Sequence, residues 1–233
     1  PLVLALGMMG GGLLTLLIDS IVFRRIRKTA RDERQAELLM LAASLGVAAV
    51  LVAVTRNLTL ETPTFGLTPG TFPAAVYEIG ALRITNIQMT IVGFGLGLVV
   101  ALALWVRHSR AGRALRALAY DPATCGLMGV NPMSLSAIAM VIAGAMAGLA
   151  GILLVVYLGA IGPETGDSLM LKAFSIIVLG GVGSVWGALV GAFVLAGAES
   201  IVLNFTAGGY VDAIAFGLII VALLLRPRGL IPV

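Results

Sequence analysis

Four ionisable residues stand inside otherwise apolar runs: Asp19, Lys172, Glu199 and Asp212. A charge in lipid is costly, so each must face protein, water or an opposite charge. Asp19 lies near the end of its run, where snorkelling to the interface accounts for it. The other three share a depth. Lys172 and Glu199 sit on successive runs at matched distance from one membrane face, so antiparallel neighbours bring them level, within salt-bridge or single-water reach. Two readings of these three stay open: a structural ion pair, or a polar point on a substrate pathway.

Other chemistry is excluded by what is missing. The only lysines are Lys28 and Lys172, and neither follows glycine. There is no G-x-x-x-x-G-K-[ST] phosphate loop, hence no ATP hydrolysis by that route. The single histidine, His108, rules out a two-histidine zinc motif. Gly181-Val182-Gly183-Ser184 misses the spacing of a serine-hydrolase turn. The single cysteine, Cys125, makes no internal disulfide. The expectation is a chain without catalytic, cofactor-binding or metal residues, which is not an enzyme.

Composition says what kind of scaffold carries those charges. Of 233 residues, 60% are hydrophobic and 11% charged, against about 25% charged in a typical soluble domain. Mean hydropathy is +1.09. Such a chain cannot coat a soluble globule, and disorder, a disulfide scaffold and a nucleic-acid-binding domain are excluded. Thirty glycines beside 6% aromatics suit helices packed closely in lipid. The fold class expected is all-α, a polytopic transmembrane helical bundle forming a single domain over 1–233.

Seven runs read as spans at roughly 20 residues each: Leu2–Phe23, Leu38–Thr55, Ile87–Val106, Ser134–Leu158, Leu169–Gly180, Trp186–Leu203 and Tyr210–Leu225. Twelve of the fifteen cations fall in Arg24–Arg34, Arg107–Arg116 and Arg226/Arg228. Lys and Arg favour the cytoplasmic side, and the three clusters agree on one topology. Residue 1 is outside, the 57–86 loop is outside, the 107–131 loop is cytoplasmic and the C-terminus is cytoplasmic. The parity requires 169–183 to cross fully; a re-entrant hairpin is the alternative. The chain opens on Pro1, with neither an initiator methionine nor a basic leader, and the expectation is that the true start is missing.

Within the outside loop, Val76–Ile79 and Leu82–Ile84 flank Gly80-Ala81 as a small hairpin. Gly183, Gly187 and Gly191, and likewise Gly144 and Gly148, recur every fourth residue as smooth helix stripes. Gly180, Gly181 and Gly183 before Ser184 break a helix, as a tight turn or a hinge. In the cytoplasmic loop, Arg110, Arg113 and Arg116 recur on one helical face. Asp121-Pro122 is a helix start, Gly129 fits the left-handed residue after a helix end, and Asn131-Pro132 starts the next span. Pro122–Met128 thus reads as a short capped helix on the inner side, suited to docking another protein, with an ordinary solvated loop as the alternative.

Arg113-Ala-Leu-Arg-Ala-Leu-Ala-Tyr-Asp121 through Leu127-Met-Gly-Val-Asn131 resembles the cytoplasmic loop of branched-chain amino acid ABC transporter permeases of the LivH type. Lys172-Ala-Phe, Val178-Leu-Gly-Gly-Val-Gly-Ser184, Gly187-Ala-Leu-Val-Gly191 and Ala198-Glu199 resemble the family's downstream block, and Arg226-Pro-Arg-Gly-Leu-Ile its ending. Two departures stand out. Tyr120 takes a place where the family usually has an acid. The family also begins with further hydrophobic segments carrying an Asn-Phe-Ala-His-Gly-like stretch, so an N-terminally incomplete chain is expected.

The resemblance implies an importer permease in a bacterial or archaeal plasma (inner) membrane. Its cargo would be branched-chain or other small amino acids, with urea or short amides as the alternative; a secondary transporter or channel is the alternative from another class. Implied partners are a LivM-type second permease, two cytoplasmic ABC ATPase subunits that hold the ATP, and a periplasmic substrate-binding protein. Arg113, Arg116, Tyr120, Asp121, Pro122, Cys125, Gly126, Leu127, Gly129 and Asn131 would form the ATPase-coupling surface.

Overall fold

The computed structural model describes residues 2–29, 33–58, 65–66, 76–79, 82–120, 125–126, 128–129, 131–163, 165–205 and 217. In chain order these form α1 (Leu2–Ile18), a π-helical turn (Asp19–Phe23), α2 (Arg24–Thr29), α3 (Glu33–Leu58) and the strands β1 (Phe65–Gly66), β2 (Val76–Ile79) and β3 (Leu82–Thr85). There follow α4 (Asn86–His108), α5 (Arg110–Tyr120), α6 (Pro132–Leu158), β4 (Ala160–Ile161), α7 (Thr165–Gly180) and α8 (Val185–Phe205).

Among the described residues, four helices are long and apolar enough to cross a bilayer: Leu2–Arg27, Leu38–Leu58, Asn86–His108 and Pro132–Leu158. At most 11% of any of these windows is buried within the chain, so leucines such as Leu6, Leu41 and Leu45 point outward, the arrangement lipid demands. The chain is an all-α polytopic membrane protein. α7 and α8 form a bent pair, turning by 117° between them. At 16 residues, α7 is about 24 Å long, short of a bilayer core of about 30 Å. The seventh run, Tyr210–Leu225, lies outside the described residues, as do Arg226 and Arg228.

The chain divides into two compact units, residues 1–98 with 104–163, and residues 99–103 with 164–233. In the first, α1 and α6 run antiparallel with backbones nearly touching. A Cβ on Gly11 would strike the carbonyl of Gly144, one on Gly148 would strike the carbonyl of Gly7, and one on Gly144 would strike Thr15. Thr15 Oγ1 donates back to the carbonyls of Gly11 and Gly12 at 3.0 Å, so its hydroxyl brings no unpaired group into the seam. β1 pairs antiparallel with β4, Phe65 opposite Ile161, which ties the 57–86 loop to the segment after α6, the two expected on one membrane side. β2 and β3 form the expected hairpin, Val76 opposite Thr85 and Ile79 opposite Leu82.

In the second unit, α7 meets α8 through a turn in which Gly181 and Gly183 hold φ 103° and 93°, a region glycine occupies without strain. The amide of Ser184 donates to Gly181 O at 3.3 Å. Ser184 Oγ accepts from Gly187 N at 3.0 Å and so caps α8. Gly183 is therefore a turn residue and not part of the stripe expected with Gly187 and Gly191. Gly180 of α7 supplies the opposing surface: a Cβ there would strike Gly187, and one on Gly191 would meet Ile176 O and Gly180. Leu179 and Leu195 bury each other beside this seam, with Ile176 packed against them.

These seams give a matched pair of expectations. Gly148→Ala forces a methyl onto Gly7 and should destabilise the detergent-solubilised protein by about 1–3 kcal/mol. Gly10→Ala, on the same helix as Gly7 but with open space at its Cβ, should stay within about 0.5 kcal/mol. Thermal unfolding of both variants against the unsubstituted protein checks this; equal effects would refute the seam.

Candidate functional site

The glycine seam of the second unit fixes the level of its charged residues. With Gly191 against Ile176, the next turns outward bring Lys172 of α7 beside Glu199 of α8. Lys172 Nζ donates to Glu199 Oε2 at 2.9 Å, the approach that their matched depth predicts. The side chains are 29% and 15% exposed, so the pair is neither sealed nor fully in water. Glu199 Oε1 is buried and has no hydrogen-bond partner among the described residues. One turn along α7, Ser175 is buried and its hydroxyl donates to Leu171 O at 2.9 Å. Asp212, grouped with this pair by depth, lies outside the described residues.

Asp19 departs from expectation. It does not snorkel; its side chain is 2% exposed. Arg24 Nε donates to Oδ2 at 3.3 Å, and Arg27 Nη2 lies 3.9 Å from Oδ1. The cause is local. The backbone widens into a π-turn at Asp19–Phe23, in which the Arg24 amide donates to Asp19 O. Five residues per hydrogen-bonded ring set Arg24 alongside Asp19, a placement an α-helical register does not give. Oδ1 has no partner at hydrogen-bond distance among the described residues.

The third feature is the joint between α4 and α5. Ser109 ends one helix and starts the other: its amide donates to Trp105 O at 2.9 Å, and its Oγ accepts from Gly112 N at 2.8 Å. Gly112 is buried at the crook, where a Cβ would meet Trp105 O and Val106. Arg113 Nη1 donates to His108 O at 2.8 Å and Arg116 Nη2 to Arg107 O at 3.3 Å. Both guanidiniums thus satisfy the open carbonyls at the end of α4, where the helix dipole favours cations. α5 lies against α6, and Tyr120 at its end is 86% exposed.

Beyond α5, Asp121, Pro122 and Leu127 lie outside the described residues. Cys125 and Gly126 are helical, Cys125 is buried, and Gly126 is exposed with nothing within 4 Å of where its Cβ would stand. Met128 lies in a turn and not in the helix, so the helical segment expected over Pro122–Met128 ends earlier. Gly129 takes φ 80°, as its place after a helix end requires, and its amide donates to Gly126 O at 3.2 Å. Asn131 Oδ1 accepts from Met133 N at 3.0 Å and Ser134 N at 3.4 Å, with Pro132 at the first position of α6.

Sequence reasoning missed Gly7 and Gly11, whose four-residue spacing signals the seam with Gly144 and Gly148. It also missed Ser109 as a double cap. It paired no cation with Asp19, because a regular α-helical register does not bring residues i and i+5 of one helix together. Among the described residues, no group of three or more His, Cys, Asp or Glu converges as a metal site would require.

A sequence model of the family described as branched-chain amino acid transport system / permease component matches residues 1–223. The chain is 32% identical over 217 residues to the high-affinity branched-chain amino acid transport system permease protein LivH of Escherichia coli, covering 92% of this chain and 68% of that one. It is 36% identical over 165 residues to BraD of Pseudomonas aeruginosa, another permease of high-affinity branched-chain amino acid transport, covering 71% and 54%. Over 142 residues it is 32% identical to LivM of Escherichia coli, covering 58% and 32%. No solved structure matches.

The Asp19 cluster gives an asymmetric expectation. Arg24→Gln with Arg27→Gln strands a buried carboxylate and should cost about 3–5 kcal/mol. Asp19→Asn should cost clearly less, because Arg24 and Arg27, with side chains 42% and 25% exposed, reach water without it. Denaturation of the two variants in detergent checks the order; the reverse order would refute the buried-charge account.

Proposed function

The chain belongs to the branched-chain amino acid transport permease family, and on that premise we propose that it is the transmembrane permease subunit of an ATP-binding-cassette importer for branched-chain amino acids. The observation that carries the proposal is a family match running through residues 1–223, which also supports one permease domain over 1–233. No part of the chain offers a phosphate loop, so the energy of import enters from separate ATPase subunits. Similarity to both LivH and LivM supports a second permease of the LivM type as partner, and a periplasmic substrate-binding protein completes the importer. Urea or amide transport has no supporting observation here.

The coupling surface proposed is the 107–131 loop. A loop that transmits force must be stiff, and this one is stiffened at both ends: by Ser109, Arg113 and Arg116 at the α4–α5 joint, and by Asn131 at the start of α6. Between them Tyr120, Gly126 and Met128 are exposed, open to a docking partner. Arg113 and Arg116 act by holding the joint, while the contact itself falls on Tyr120, Asp121, Pro122, Gly126, Leu127, Gly129 and Asn131; Cys125 is buried and belongs to the segment without facing the partner. We place the 57–86 loop outside and the 107–131 loop and C-terminus inside, with seven crossings that include 169–183. The antiparallel α1–α6 seam and the β1–β4 pairing support the relation between the first and fourth spans.

The decisive experiment is reconstitution. This chain with its second permease, ATPases and binding protein in proteoliposomes should take up labelled L-leucine only with ATP. Gly126→Trp, at a position where an added Cβ meets nothing within 4 Å, should abolish uptake and ATPase co-purification while the membrane bundle stays folded. Asp121→Ala should weaken the helix start by about 1 kcal/mol and lower uptake less. Cysteines at 124 and 127 should crosslink to the ATPase; crosslinks from 27 to 31 in their place would move the coupling site. A cysteine at position 70 should react with an impermeant reagent in intact cells, and reaction only after lysis would overturn the topology.

A further inference from the structure

Glu199 presents two carboxylate oxygens, and the structure uses one. Oε2 accepts from Lys172 Nζ at 2.9 Å; Oε1 is buried with no partner. A buried acceptor without a donor is costly. Beside it, the Lys172 ammonium has three donors and gives one of them to Glu199. Among the described residues the pair therefore holds an unused acceptor and unused donors side by side; the Lys172 side chain is 29% exposed and the Glu199 side chain 15%, so a ligand meets the lysine first and reaches the buried Oε1 by opening the pair.

We propose that Lys172 and Glu199 form a binding station for the zwitterionic head of an α-amino acid, with the substrate carboxylate on Lys172 Nζ and the substrate ammonium on Glu199 Oε1. This rests on the amino acid reading given above and says which atoms read it. The charge balance selects the ligand. The pair is neutral overall, and a zwitterion inserted into it leaves two neutral pairs with no net charge buried. A lone cation or anion would leave a surplus charge in a low-dielectric place. Urea and simple amides carry no charge with which to replace the bond they would break. The station reads the part common to all amino acids and leaves the apolar side chain to other contacts.

The competing role is a lock that only ties α7 to α8. The two roles differ in what happens when both charges are removed. In proteoliposomes holding the whole importer, Lys172→Gln and Glu199→Gln each lower L-leucine uptake by at least about 10-fold, as expected for lost hydrogen bonds to charged groups. The double variant K172Q/E199Q is then no better than either single one, although the ATPase still co-purifies. A lock behaves otherwise: the double variant strands no charge and returns to within about two-fold of the unsubstituted importer, which would overturn the proposal. If the variants do not assemble, the unsubstituted importer decides. L-Leucine, and not urea, should protect Glu199 from carbodiimide modification read by mass spectrometry; absence of protection by L-leucine would also overturn it. An unsubstituted importer that takes up no L-leucine defeats the amino acid reading itself, a result distinct from the others.

Discussion

In a bilayer one apolar surface gains nothing by leaving its lipid neighbours for another apolar surface. Helices stay together only where their backbones come close enough for dense packing and polar contact. Glycine is the residue that permits this, and both seams of this chain are built from it. Gly7 and Gly11 meet Gly144 and Gly148, and Gly180 meets Gly187 and Gly191. The one ion pair that joins two helices among the described residues depends on the second of those lines. The level at which Lys172 meets Glu199 follows from the register that Gly180 and Gly191 set.

The buried acids show two answers to one problem. A carboxylate away from water must find cations. Asp19 finds them on its own helix, and the π-turn supplies the geometry. Glu199 finds one on the neighbouring helix, and the glycine seam supplies the geometry. The first answer is local and leaves the helix with a widened turn. The second joins two helices and ties their spacing to an ion pair. Among the described residues each leaves one oxygen without a hydrogen bond, yet their settings differ: the Asp19 side chain is 2% exposed, while Lys172 of the other pair is 29% exposed.

Much of this was legible in the sequence. The apolar runs, the Val76–Thr85 hairpin, the left-handed Gly129, the Asn131 cap and the Lys172–Glu199 approach follow from rules that act over a few residues or from a matched depth. The parts not legible depend on geometry that a linear pattern does not carry. The Arg24 contact of Asp19 requires a hydrogen-bond ring one residue wider than an α-helix has. The spacing of Arg113 and Arg116 places them on one helical face, but it does not show that the joint at Ser109 brings their guanidiniums onto the carbonyls at the end of α4. Gly183 fitted a four-residue stripe by number, and its positive φ removes it from the helix. The bend of 117° between α7 and α8 was foreshadowed only as a glycine cluster, because clustered glycine marks a break without setting its angle.

The glycine seams also shape how this protein can change over generations. Glycine has no smaller neighbour in the amino-acid alphabet, so any replacement at Gly11, Gly148 or Gly187 adds atoms where a backbone already stands. There is no conservative exchange at these positions, and no compensating exchange on the facing side, since the opposing residue is glycine too. The outward leucines are the opposite case, because lipid adjusts to whatever apolar shape it meets. Inheritable variation in this chain should therefore collect on its lipid-facing surface, while the two narrow lines of missing side chains admit almost none.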